Sequence, residues 1–130
     1  MASEPHVRPP EGPPDGLEVL LSTTRFGPVE HVEITGSTNG DLIARVCDAT
    51  DGTVLIADYQ ASGRGRLGRR WDAPPRTNLL VSVLIRPHWS PEDSPLLTAA
   101  LAVVVVDALA RIGVPTGVKW PNDLIVEGGS

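Results

Sequence analysis

The chain carries the stretch Gly63-Arg64-Gly65-Arg66-Leu67-Gly68-Arg69-Arg70-Trp71 between two apolar runs, Thr53–Gln60 and Asn78–Arg86. Both runs are rich in Val, Leu and Ile and predict β-strands, the second one in a central position with both faces covered. The segment Ala61–Arg76 between them holds three glycines, two prolines and five arginines, which predicts a long loop. Loops of this length in compact domains are usually functional or disordered, and we expect this one to be mobile without a ligand.

This arginine–glycine loop, Ala61–Arg76, has the chemistry of an anion site. Glycines let backbone N–H groups approach a ligand closely, and arginines supply forked donors for phosphate or carboxylate. The pattern is not that of a P-loop, because no Gly-Lys-Ser/Thr follows it. From composition alone it is a site for a triphosphate or acyl-adenylate, a solvated flexible loop, or an RNA-binding arginine–glycine segment.

Outside the loop, apolar periodicity and turn residues predict an α+β domain with a mixed or antiparallel sheet packed with helices. The predicted helices and strands are Leu17–Ser22 (helix), Val29–Ile34 (strand), Gly36 to about Asp48 (helix), Ser90 to about Ile112 (helix), Gly117–Trp120 and Leu124–Val126 (strands). The second helix would carry Leu42, Ile43, Val46 and Cys47 on one face, with Cys47 as a buried structural thiol.

The totals restrict the class of protein. The 130 residues are 41% hydrophobic, enough for one domain with a core, and residues 1–16 form a proline-rich stretch that we expect to be a disordered tail. A net charge of −5 is unusual for a nucleic-acid-binding protein, so no DNA partner is expected. The apolar stretch Leu96–Val106 has eleven residues, whereas a membrane span needs roughly 20, so no membrane association is expected. A single cysteine allows no intrachain disulfide and fits a cytoplasmic protein.

Three shorter motifs are open to two interpretations each. Lys119-Trp120-Pro121-Asn122-Asp123 contains the sole lysine, at a turn predicted to join two strands, and it either presents an ammonium to an anion or is an ordinary surface turn. Ser37-Thr38-Asn39 is either a helix cap or a set of ligand donors. Gln60, at the end of its strand, is either a structural amide or a ligand donor.

Taken together and in this order, the motifs resemble the biotin–protein ligases over about Glu30–Val126. The resemblance implies a class II synthetase-like biotin/lipoate ligase catalytic fold. It also implies a two-step reaction, in which biotin and ATP give biotinyl-5′-AMP and a lysine of the biotin carboxyl carrier protein of an acyl-CoA carboxylase, such as acetyl-CoA carboxylase, is then biotinylated. Mg²⁺ would accompany ATP, held by phosphate oxygens without a protein metal site.

The same resemblance implies roles for individual residues, with Lys119 and Arg66 as catalytic groups. The residues implied in biotin binding are Ser37, Thr38, Asn39, Gln60, Arg64, Gly65, Arg66 and Lys119. Those implied in nucleotide binding are Arg64, Arg66, Arg69, Trp71 and Asn122.

The family pattern continues beyond the Lys119–Asp123 motif with further strands and a small barrel domain, so residues 17–130 are expected to be a truncated catalytic domain, a fragment. No helix-turn-helix domain precedes it, so no repressor role is expected, and a homodimer formed through sheet edges is the oligomer considered. Two alternatives stay open. One is a lipoate or octanoate ligase on the same fold, which is expected to lack the arginine–glycine loop, and the other is a non-enzymatic module that binds an anion or nucleic acid through that loop.

Overall fold

The computed structural model describes residues 16–126, which form two compact units, one ending at Arg86 and the other beginning at Pro87. The predicted disordered tail lies outside the described residues, apart from Gly16. The assignment of residues 17–130 to one partial catalytic domain stays a prediction.

The first unit is built on a three-stranded sheet with the order β1-β2-β3. Strand β1 pairs in parallel with β2, and β2 pairs antiparallel with β3, so the sheet is mixed and the predicted α+β class is confirmed. The elements of this unit are α1 (Leu17–Leu21), β1 (Val29–Thr35), α2 (Thr38–Ala44), β2 (Val54–Gln60) and β3 (Leu80–Val83). Helix α2 crosses from the end of β1 to β2 and buries Leu42 in a core that also contains Leu55 and Ala57.

Helix α2 begins where the sequence predicts but ends earlier than the predicted Asp48. Ser37 caps the first turn by accepting a hydrogen bond from the Gly40 amide at 3.2 Å. After Ala44 the chain tightens into turns, in which the Val46 N–H donates to the Ile43 carbonyl. The Arg86 guanidinium donates hydrogen bonds to the Val46 and Ala49 carbonyls. The last carbonyls of α2 are bound within this turn, and the carbonyls that follow it are bound by Arg86, so the backbone acceptors are satisfied without further helix.

The predicted apolar face of α2 is wrong, both within the helix at Ile43 and beyond its end at Val46 and Cys47. Leu42 is buried, but the side chain of Ile43 is 62% exposed and Val46 and Cys47 are exposed as well. The prediction of a buried Cys47 thiol is therefore wrong, because the residue lies beyond the helix in a surface turn.

The strand predicted over Asn78–Arg86 is shorter and lies elsewhere in the sheet. Strand β3 covers Leu80–Val83 and is at one edge of the described sheet, whereas β2 is central. It pairs along Val54–Ala57, and the hydrogen bonds of Leu84 with Gly52 and Thr53 continue just past the last pair. Leu79, before the paired segment, is exposed. Continuous apolar sequence thus indicated a strand correctly but not its position.

The second unit consists of one long helix and a hairpin. A 3₁₀ turn at Pro91–Asp93 leads into α3 (Ser94–Arg111), and the antiparallel hairpin of β4 (Thr116–Lys119) and β5 (Asp123–Val126) packs against it. Gly113, with φ +80°, ends the helix in the left-handed conformation that glycine adopts freely. The predicted helix and hairpin are both confirmed.

The helical segment Pro91–Arg111 is longer than the apolar stretch counted in the sequence. It has 21 residues, with small residues extending the apolar run, and is long and apolar enough to cross a membrane by length and composition alone. A core helix of a soluble protein can have the same length and composition, and the absence of a membrane partner stays a prediction.

Candidate functional site

The candidate site lies at the carboxyl ends of β1 and β2. The two strands are parallel and in register up to the pair Thr35 and Gln60, so both end at the same edge of the sheet. The chain leaving β1 forms the start of α2 at Ser37 and Thr38, and the chain leaving β2 enters the arginine–glycine loop. Two motifs more than twenty residues apart in sequence are thereby brought together.

A hydrogen-bonded group of three side chains, Thr38, Gln60 and Ser82, joins these ends. Gln60 Oε1 accepts from the Thr38 backbone N at 2.8 Å and from Thr38 Oγ1 at 2.9 Å. The Thr38 hydroxyl, which is buried, also lies 2.8 Å from Ser82 Oγ on β3. Because a backbone N–H can only donate, these contacts fix the orientation of the Gln60 amide and leave its Nε2 as a donor. Ser82 was missed by the sequence analysis, and its only signal is a hydroxyl within an otherwise apolar strand.

A cleft of about 260 Å³ opens beside this group. It brings together six of the predicted site residues with four residues of the β3 region that were not predicted. Its lining residues are Ser37, Thr38, Asn39, Gln60, Arg64, Trp71, Leu79, Leu80, Val81 and Ser82. This lining combines hydroxyl and amide groups with leucine, valine and tryptophan, which suits a small ligand that has both a polar and an apolar part.

The arginine–glycine loop folds back on itself as a narrow hairpin. Trp71 N donates to the Gly63 carbonyl at 2.8 Å, and Gly65 N donates to the Arg69 carbonyl at 2.7 Å. At the tip is a 3₁₀ turn, Arg66–Gly68. A Cβ at Gly63 would lie 2.5 Å from the Trp71 carbonyl oxygen, so only glycine allows the two limbs to approach this closely. The expected mobility of the loop stays a prediction.

Three arginines of this loop have no acidic partner. Within residues 16–126, Arg64, Arg69 and Arg70 make no ion pair, and all three line a second cavity of about 420 Å³ with Ala61, Ser62, Gly63 and Gly68. Arg64 lines both cavities. Unneutralised guanidinium groups beside glycine backbone form a site for an anion such as a phosphate. The predicted residues Gly65 and Arg66 lie in the hairpin but line neither cavity.

The return limb of the loop is tied to the sheet through Asp58. Arg76 N donates to the Asp58 carbonyl at 2.9 Å, and Arg76 Nε lies 3.4 Å from Asp58 Oδ2. The other carboxylate oxygen lies 2.9 Å from His31 Nε2. The hydrogen bond with His31, together with the charges of His31 and Arg76, lowers the pKa of Asp58 below its usual value. None of these three residues stands out in the sequence.

The remaining predicted residues belong to the second unit. Lys119 is the last residue of β4, is exposed, and pairs across the hairpin with Asp123. Asn122 lies in the turn, where its Nδ2 is 3.4 Å from Asp123 Oδ1. Over residues 16–126, no group of three or more His, Cys, Asp or Glu side chains is arranged to hold a metal ion.

The sequence model of the biotin/lipoate A/B protein ligase family matches residues 32–129. The chain belongs to this family. The match spans Ser37-Thr38-Asn39, Gln60, the arginine–glycine loop and the Lys119–Asp123 hairpin, so every family motif identified in the sequence lies within it.

Individual family members agree with this assignment. A biotin--[acetyl-CoA-carboxylase] ligase of Mycobacterium tuberculosis is 38% identical over 99% of this chain and 52% of its own length. The bifunctional ligase/repressor BirA of Escherichia coli is 35% identical over 83% of this chain and 34% of its own. A solved structure, the biotin protein ligase from Aquifex aeolicus in complex with biotin and ATP, matches 76% of this chain and 41% of its own with a TM-score of 0.66 and 35% identity.

These similarities confirm the resemblance to biotin–protein ligases, and with it the fold, while this chain spans about half the length of the curated relative from Mycobacterium tuberculosis.

Proposed function

We propose that this chain forms the biotin- and adenylate-binding part of a biotin–protein ligase. The observation that carries the proposal is the joining of Thr38, Gln60 and Ser82 beside a cleft that also receives Arg64 and Trp71 of the arginine–glycine loop. The similarity to a biotin--[acetyl-CoA-carboxylase] ligase extends over 99% of the chain and supports the assignment.

The polar groups that line the cleft suit the cyclic urea of biotin, which has both N–H donors and a carbonyl acceptor. Gln60 Nε2 is the free donor, since its Oε1 is held by Thr38, and the cap residues Ser37 and Asn39 add further polar groups. Leu80, on the same face of β3 as Ser82, and Trp71 supply apolar surface for the hydrocarbon part of the ligand. Gly65 and Arg66 complete the proposed biotin contacts from the hairpin of the loop.

The arginines are proposed to bind the negatively charged phosphate groups of the reactants. A carboxylate oxygen of biotin forms a bond to the α-phosphorus of ATP while the bond to pyrophosphate breaks, which gives biotinyl-5′-AMP. Lys119 and Arg66 are proposed to offset the charge that develops on the phosphate, and Arg64, Arg69, Trp71 and Asn122 to hold the nucleotide. Closure of the loop would keep water from the anhydride. A Mg²⁺ ion would arrive with ATP, held by phosphate oxygens.

The second step requires a protein partner. The ε-amine of a carrier-protein lysine attacks the carbonyl carbon of biotinyl-5′-AMP, the bond to AMP breaks, and an amide forms. The proposed partner is the biotin carboxyl carrier protein of an acyl-CoA carboxylase. We also propose a cytoplasmic location, no DNA or membrane partner, and a homodimer as the oligomer.

Thermal unfolding of the full chain with biotin, MgATP or both tests the proposal. A ligand that binds only the folded state at 100 times its dissociation constant adds about 2.7 kcal/mol of stability. We expect stabilisation by biotin, increased by MgATP, and a smaller combined effect in Lys119→Ala and Arg66→Ala. The control is Arg111→Ala, which removes an exposed arginine whose partner is Asp107, one turn away on α3.

Two outcomes would contradict the proposal and identify an alternative. Stabilisation by lipoate or octanoate but not by biotin would indicate a ligase for those acyl groups, and the family's description includes lipoate. An anion- or nucleic-acid-binding module would show a different result. Its stability would not respond to biotin, lipoate or octanoate, but a polyanion would stabilise it, and that stabilisation would fall steeply as the salt concentration rises.

A further inference from the structure

We propose that Arg76 is a positioning residue for the arginine–glycine loop, fixing the return limb of the loop to β2 through Asp58. The inference rests on the proposed function, because it concerns the loop that is proposed to close over biotin and the adenylate. Arg76 touches neither cavity, so its effect on a ligand would pass through the loop.

The backbone of Arg76 is held in a conformation that arginine does not favour. Its φ is +62°, in the left-handed region that glycine adopts freely and other residues seldom do. Residues in such conformations persist only when the surrounding structure determines them strongly. The contacts of Arg76 are therefore sufficient to hold it in place against its own backbone preference.

Those contacts all lead to β1 and β2. The Arg76 amide and Nε both engage Asp58, and a terminal nitrogen of its guanidinium lies 3.9 Å from a Glu33 carboxylate oxygen. Asp58 is in turn held by His31 on β1. The Asp58 side chain is 25% exposed and that of Arg76 46%, so the pair is partly shielded from solvent on the Asp58 side.

We call the contacts of Arg76 with Asp58 and Glu33 the clamp. Its position determines which part of the arginine–glycine loop it holds. Asp58 lies two residues before Gln60 on β2, so the chain leaves the strand at Gln60 and returns to it at Arg76. Between these points the hairpin is closed by the Trp71 and Gly65 hydrogen bonds. Loss of the side-chain part of the clamp would leave the return limb attached through the Arg76 amide bond to the Asp58 carbonyl and those two bonds, and opening of the hairpin would become easier.

Amide hydrogen exchange of the ligand-free full chain tests the clamp directly. Alanine has a Cβ like arginine, so Arg76→Ala keeps the backbone strain and removes only the side-chain contacts. We expect exchange at the Trp71 and Gly65 amides to speed up by about twofold to fivefold, as for loss of a partly exposed ion pair. Exchange at Leu55 and Ala57, in the middle of β2, should not change.

A matched control separates this effect from the loss of an ion pair in general. Arg45→Ala removes a pair with Glu30, also on β1, whose arginine is 41% exposed, without touching the loop. We expect no acceleration at Trp71 or Gly65 in this variant, and we expect Arg76→Lys, which keeps a cation near Asp58, to restore part of the protection. Unchanged loop exchange in Arg76→Ala, equal acceleration in Arg45→Ala, or equal acceleration across β2 would each overturn the proposal.

A ligand experiment shows which of the two proposals fails. Stabilisation by biotin plus MgATP should be smaller in Arg76→Ala than in the wild type and should be retained in Arg45→Ala. A wild-type protein that biotin and MgATP do not stabilise would refute the proposed function, while the ligand-free exchange would still decide whether the clamp holds the loop.

Discussion

Replacement of Gly63 by alanine tests whether the closed hairpin of the arginine–glycine loop exists in solution. The new Cβ would lie 2.5 Å from the Trp71 carbonyl oxygen and 3.4 Å from Gln60 Nε2. The Trp71 carbonyl would have to recede by about 0.9 Å to reach the 3.4 Å at which ordinary contact begins. The obstacle is backbone on the facing limb, which cannot rotate away as a side chain would.

The cost follows from the bond that this movement strains. Trp71 N donates to the Gly63 carbonyl at 2.8 Å, so separation of the two limbs weakens the bond that closes the loop. Loss of one such bond costs about 0.5–1.5 kcal/mol, and retention of it with overlapping atoms costs about 1–3 kcal/mol. We therefore expect Gly63→Ala to make opening of the hairpin easier by about 1–2 kcal/mol, roughly a factor of 5 to 30 in the opening equilibrium.

The assay is amide hydrogen exchange at Trp71, with Gly65→Ala as the control for loop structure. A Cβ at Gly65 would lie 3.5 Å from the Arg69 carbonyl oxygen and the residue has φ −90°, so the same chemical change in the same loop is free of overlap and strain. Trp71 exchange should accelerate in Gly63→Ala only. Equal exchange in the two variants would refute the closed hairpin as the solution structure of the free loop.

Two further predictions concern the first unit as a whole. Gly52→Ala should lower the free energy of unfolding by about 3 kcal/mol or more, because the new Cβ would lie 2.0 Å from the Arg25 carbonyl oxygen at a residue with φ +90°. Urea unfolding measures this loss, and Gly40→Ala is the unstrained control. A loss below about 1 kcal/mol would contradict the packing at Gly52. His31 and Arg76 lower the pKa of Asp58 in the folded state, so this carboxylate contributes stability that is present above its usual pKa of 3.8 and is lost as the pH falls through the lowered pKa. Urea unfolding between pH 7 and pH 3 should therefore show a smaller loss of stability below about pH 4 in Asp58→Asn than in the wild type. Equal losses in the two proteins would contradict the ion pair.

Local signals predicted the elements of the fold better than their ends. The cap at Ser37 and the stop at Gly113 act over three or four residues, and the helices begin and end close to them. The turn that follows α2 is instead held by Arg86, which donates to the Val46 carbonyl from forty residues away, and no pattern around Val46 contains that information.

In the candidate site too, the residues marked by local motifs were predicted, and contacts between distant residues were not. Ser37, Thr38, Asn39 and Gln60 were identified by resemblance to a family, and the parallel register of β1 and β2 explains why they meet. Contacts between residues that carry no motif could not be predicted. Ser82 is 44 residues from Thr38, and nothing in the sequence around Arg76 indicates a positive φ, since a turn of that kind is usually marked by glycine.

The register of β2 makes its length a constraint on the binding cleft. From the buried Leu55 to Gln60 the strand advances five residues, about 16 Å at 3.3 Å each. Deletion of one residue in this span would turn the following side chains to the opposite face, and deletion of two would restore the face but draw the amide about 7 Å back from Thr38. Insertions and deletions between Leu55 and Gln60 would therefore separate the core from the site that it supports.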